Sequence, residues 1–230
     1  MGFYAQLQDA TEAARQHMLS APVFSAAPSG NVLLETYTYF LSQAYHHVKH
    51  TVPLLMACGA KLGPRYPELQ QAIAEYIEEE IGHQEWILSD IAACGKPTEF
   101  IRNGEPDAPI ELMVAFLYDA IQRGNPHSLF GMVQVLEGTS INKANDMADA
   151  FQTALGLPDQ AFSYLRSHGK LDEDHWKFFT SLMNKITDPV DQKAIMHSAV
   201  RVYQLYGQML YSLPLSSVNT TSNEPFALVS

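Results

Sequence analysis

The sequence predicts an all-α protein, a single helical bundle of about seven helices. Three observations carry this. Apolar residues recur at helical spacing along nearly the whole chain. No segment alternates with period 2, and no Asn-Gly or Asp-Gly hairpin signal lies between apolar runs. Proline and glycine fall where helices start and stop: proline costs nothing in a first turn, and glycine takes the left-handed position after a last one.

Taken in order, Phe3 to about Leu19 forms a first amphipathic helix, and Pro22, Pro28 and Gly30 break the loop after it. A long second helix is expected from Val32 to about Leu62, kinked one turn before Pro53 and stopped by Gly63-Pro64. The third runs from about Pro67 to Ala93, with Gly95 just past its end. A polar connector with three prolines, Lys96 to Pro109, leads to a fourth helix, Pro109 to about Arg123. Pro126 opens a fifth that Gly156 closes after Leu155; Asp159 to Ile186 is the sixth. Asp188-Pro189 starts the seventh, which fades near Leu213. With no repeat and no linker, residues 1–213 read as one domain, and 214–230 as a polar tail, extended or disordered.

At 230 residues and 47% hydrophobic, the chain is long and apolar enough to bury a core without disulfides. Lys plus Arg is 14 against 25 Asp plus Glu, a net charge of -11, which argues against nucleic acid or an anionic membrane as partner. Only 17% of residues are charged, so a buried interface, and hence a homodimer, is expected. Cys58 and Cys94 form no CxxC motif; with no apolar leader and no run of about 18 apolar residues, the expected setting is a reduced cytoplasm, off the membrane.

The densest chemical signal lies in the sixth helix. At roughly 100° per residue, Asp172 lies about 40° and His175 about 20° from His168, so two imidazoles and a carboxylate share one face. That is half a site for iron, zinc or manganese; acids and histidines in chance register on a solvated face are the alternative. In the third helix Glu80 and His83 stand at the Glu-x-x-His spacing of carboxylate-bridged di-iron bundles, with Glu79 at i, i+4 almost as well placed. Glu137 follows an apolar stretch of the fifth helix, and a carboxylate there needs a cation or hydrogen bonds. Together these are three carboxylates and three imidazoles, an inventory that suits two iron ions. His46, His47 and His50 form another cluster, of which at least one is expected at the surface; Tyr45, His47, His50 and Tyr76 are candidates for a substrate pocket. Arg123, Lys143 and Arg201 are isolated cations for a substrate carboxylate. No Walker loop, G-x-G-x-x-G, G-x-S-x-G or zinc-type cysteine pair occurs.

On these residues the chain resembles, over roughly residues 30–210, the haem-oxygenase-like superfamily, which includes TenA thiaminases, pyrroloquinoline-quinone synthase and the haem-oxygenase-like di-iron oxidases. The spacing His168-x3-Asp172-x2-His175 is similar to the third ligand helix of the di-iron oxidases, with Glu137 and the Glu-Glu-Ile-Gly-His of 79–83 in the expected order before it. Tyr39 to Tyr45 is similar to the second TenA helix, but Ala44 stands where thiaminases have an aspartate, and no cysteine occurs around Met132 to Leu136. Thiaminase activity is therefore not expected. His17 is the one first-helix candidate for a haem ligand. Many di-iron members place a glutamate seven residues before the first histidine; here that position is Tyr76, so either Glu80 (or Glu79) substitutes or one iron is held firmly and a second weakly. The resemblance implies an iron-dependent oxidase or oxygenase, with O2 and a small organic molecule as substrates and iron on Glu80, His83, Glu137, His168, Asp172 and His175. A metal-free small-molecule enzyme or a non-catalytic binding protein of the same fold is the alternative.

Overall fold

The computed structural model describes residues 2–169 and 173–216, with the side chains of 168, 169 and 173–175 left aside. The helices are α1 (Phe3–Leu19), α2 (Val23–Ala26), α3 (Leu34–Val48), α4 (Thr51–Lys61), α5 (Pro67–Glu80), α6 (His83–Ala93), α7 (Glu99–Arg102), α8 (Ala108–Arg123), α9 (Leu129–Leu155), α10 (Ser163–Gly169), α11 (Glu173–Lys185) and α12 (Pro189–Tyr211). Short 3-10 turns, Pro126–Ser128 and Asp159–Phe162, lead into α9 and α10. Among the described residues no helix is long and apolar enough to cross a membrane.

The all-α bundle stands as expected, but the second and third helices are each divided. The kink expected before Pro53 is a full break at Lys49-His50; α4 starts at Thr51, which puts Pro53 in its first turn, where a missing N–H costs little. The third helix ends at Glu80 because Ile81 is extended and Gly82 adopts φ +94°, a left-handed conformation that glycine takes without strain. Of the expected sixth helix, α10 and α11 are described, and 170–172 lie outside the described residues. The last helix starts at Asp188-Pro189 as expected, and Asp188 caps it, its Oδ1 accepting from the Val190 N–H at 2.8 Å. Beyond it Leu215 makes a lone antiparallel bridge to Val32, and Thr36 Oγ1 donates to the Pro214 carbonyl. Residues 217–230 lie outside the described residues.

Helix α9 is the centre. It packs along α12 on one side and α10 on another, while α12 also covers α1 and α8, α3 lies against α6, and α4 against α5 and α8. Tyr37, fully buried, is held between Phe151 and Phe162 at ring separations of 4.9 and 5.0 Å and donates to the Ala161 carbonyl at 2.6 Å. That bond satisfies the one polar atom this ring brings into the core. Helices α9 and α12 meet backbone to backbone at Gly131 of α9: a Cβ there would sit 2.6 Å from both the Ala199 nitrogen and the Ile195 carbonyl oxygen of α12. Backbone cannot retreat as a side chain can, so Gly131→Ala is expected to cost about 1–3 kcal/mol or more, read from the midpoint of a urea titration. An unchanged midpoint would show that the two helices can separate freely.

Candidate metal and substrate cavity

Helices α3, α4, α5, α9 and α10 enclose a small cavity of about 50 Å³, a size for ions, waters or a diatomic gas rather than an organic molecule. Its polar lining includes His47, Thr51, Tyr76, Glu80, Glu137, Ser140 and Tyr164, and apolar side chains such as Leu55, Met132, Val133 and Leu136 close the rest. The spacing explains the convergence. Val133, Glu137 and Ser140 recur at i, i+4 and i, i+7 on one face of α9, and Tyr76 and Glu80 are one turn apart on α5. Glu137 is half-buried and lines the cavity. Burial, then the charges of Glu80 and Glu79, push its carboxyl well above the ordinary range. Tyr76 and Tyr164 are likewise pushed up, mainly by burial and, for Tyr76, next by Glu137.

Glu80 and His83 are brought together, though across the helix break rather than within one helix: Nδ1 of His83 lies 3.0 Å from Oε2 of Glu80, and the imidazole packs on Trp86 at 4.0 Å. Of the two candidate glutamates, Glu80 lines the cavity, whereas Glu79 is exposed beside Phe178 of α11. His47 and Tyr76 line the cavity, as expected of pocket residues; Tyr45 and His50 do not. Tyr45 meets His46 edge-on at 5.5 Å, and His50 Nδ1 lies 3.1 Å from the Tyr118 hydroxyl. Of this cluster His46 and His47 are buried, and His50, just past the end of α3, is half-buried. His168 belongs to α10 and His175 to α11; their side chains, and Asp172 altogether, lie outside the described residues. Among the described residues no three acidic, histidine or cysteine side chains are grouped closely enough to hold a metal ion.

Three features escaped the sequence reading. Tyr164, one turn before His168, reaches the cavity from α10. Asp90 of α6, fully buried, accepts from the backbone N–H groups of Ser163 at 3.1 Å and Tyr164 at 2.9 Å, so it caps α10 from another helix. A lone aspartate in an apolar stretch was its only signal. An apolar chamber of about 60 Å³, walled by Phe24, Phe40, Phe151 and Leu210 among others, shares Ser140 and Tyr164 with the acidic cavity and includes Lys143. Arg123 instead pairs with Asp119, and Arg201 with Gln204.

Residues 38–207 match the iron-containing redox enzyme family. The chain belongs to that family. No curated protein matches it. In structure it is similar to a domain of unknown function with a haem-oxygenase-like fold from Shewanella denitrificans OS217, at a TM-score of 0.82 and 20% identity over 93% of this chain and 92% of the other. A TenA homologue from Pseudomonas syringae pv. tomato DC3000 superposes at 0.76 and 10% identity over 90% of each chain. Haem oxygenase from Leptospira interrogans superposes at 0.75 and 14% identity over 93% and 100%. The fold is therefore haem-oxygenase-like, in an iron-containing family.

The residues of the cavity suit that family's metal. Among the described residues the charges that act on Glu137 are those of Glu80 and Glu79, both negative, and an acid desolvated among acids either stays protonated or takes a cation. Carboxylate oxygen and imidazole nitrogen are donors that iron accepts. His17 stacks on Tyr211 at 5.2 Å, on the outside of α1.

The buried histidines beside the cavity give an acid-sensitive element. Burial, then the Lys49 ammonium 3.2 Å from Nδ1, pushes His46 down to about 4. A histidine lowered below its unfolded value of about 6.5 contributes stability above that pH and loses it as pH falls toward the folded value. His46→Gln is therefore expected to lose less melting temperature than the wild type on acidification from about pH 7 to about pH 4.5, measured by circular dichroism. Parallel losses would assign the acid sensitivity elsewhere.

Proposed function

We propose that the protein is a non-haem iron oxidase or oxygenase that uses O2 on a small organic substrate, with its metal in the acidic cavity. The observation that supports this reading is Glu137, half-buried on the cavity wall beside Glu80, where among the described residues the charges acting on it are negative. Glu80, His83 and Glu137 would hold iron together with His168, Asp172 and His175, two ions in all, with Glu80 taking the place that Tyr76 leaves without a carboxylate. Bound ferrous iron supplies the electrons for O2 activation. The protein does the rest. Paired acids neutralise the metal's charge. The Tyr76 and Tyr164 phenols, held protonated by burial, are hydrogen-bond donors at the cavity wall. Leu55, Met132, Val133 and Leu136 keep bulk water out. Asp90, by capping α10, positions the helix that carries His168.

A metal-free enzyme is the second reading, favoured by the Glu137 carboxyl, which burial raises and which would serve there as a general acid. Iron loading separates the two. Under anaerobic conditions the wild type is expected to bind up to two ferrous ions per chain, and the double variant His168→Ala/His175→Ala to bind at least about tenfold more weakly, by metal analysis after desalting. Substoichiometric iron that the double variant retains equally would sink the metal reading.

Glu137→Gln gives an opposed pair of readouts. A carboxyl raised above its unfolded value contributes stability while protonated and loses it as pH rises through its folded value. Metal-free Glu137→Gln is expected to melt with the wild type at low pH and a few degrees above it at about pH 8, while binding less iron. A variant that gains no thermal stability and keeps its iron would remove Glu137 from the site.

A further inference from the structure

We infer that the cleft between α1, α9 and α12 is a second binding site, for a small organic anion that also carries a hydrogen-bond donor. The cleft lies along a face of α9 that flanks Glu137, where Gln134, Gly138 and Asn142 recur every four residues. Its volume is about 350 Å³, against about 50 Å³ for the acidic cavity, so it is the space with room for an organic molecule.

Its walls define the ligand. Arg15 and Lys143 bring two cations, and a carboxylate is the anion their donors suit. Glu12 engages one terminal nitrogen of Arg15 and fixes the guanidinium, while its Nε–H is buried with no acceptor. Gln134, 2% exposed, lies with its carboxamide against the Tyr203 hydroxyl, and its Oε1 is buried with no donor. A folded protein rarely leaves a donor and an acceptor unmet on the walls of one cleft. Both atoms are buried as the side chains stand, on residues that line the cleft. Tyr4 and Trp176, edge to face at 6.0 Å, add an aromatic wall for a flat ligand.

The site uses none of the residues assigned to iron, so its test is run on metal-free protein. The probe is 4-hydroxybenzoate, titrated by calorimetry, with 4-hydroxybenzyl alcohol as the uncharged control. Saturable binding is expected, at least about tenfold weaker for the alcohol and for Arg15→Gln and Gln134→Leu, and unchanged for Glu137→Gln. If Arg15→Gln does not fold, the partly exposed Lys143→Gln takes its place with the same expectation. No saturation, equal binding by the cleft variants, or loss of binding in Glu137→Gln overturns the assignment.

Discussion

The contact of α9 with α12 at Gly131 sets the terms for the rest of the molecule. Two backbones meet there with no room for a Cβ, so neither helix can slide or rotate on the other. Glu137 follows Gly131 by six residues, about 9 Å along the axis, and its direction is fixed by that contact. An acid that a looser helix would turn to water is held facing Glu80, Tyr76 and Tyr164. The core thus carries an unfavourable charge by construction, and a cation or a proton is what relieves it.

The same helix distributes three different environments around its circumference. One face meets the acidic cavity, a second the apolar chamber, and a third the polar cleft under α1. Ser140 borders the first two, and Thr139 and Lys143 border the last two, so the spaces adjoin in sequence around one turn and a half of α9. Metal-sized, apolar and polar volumes are kept apart by single side chains.

Much of this was legible in the chain. The helical period, the prolines at first turns and the glycines after last turns gave the bundle and most helix ends, because those signals are local and act through φ and missing N–H groups. Glu80 and His83 stood out by their Glu-x-x-His spacing, and Glu137 because an acid at an apolar helical position conflicts with its surroundings. The breaks at Lys49-His50 and Ile81-Gly82 were read as a kink and as continuous helix. A glycine inside a helical pattern is tolerated or left-handed according to what packs on either side, which its neighbours in sequence do not encode.

The sequence by itself determined the fold class, the acid excess and the set of residues able to bind metal, since periodicity, charge and donor type belong to the residues themselves. Tertiary structure alone decided which of two adjacent glutamates turns inward, that Tyr45 and His50 stand away from the cavity while Tyr164 enters it, and that Asp90 caps a helix it does not belong to. Those outcomes depend on how segments far apart in the chain are rotated against one another, and that rotation is set by close packing of surfaces rather than by any one residue's preference.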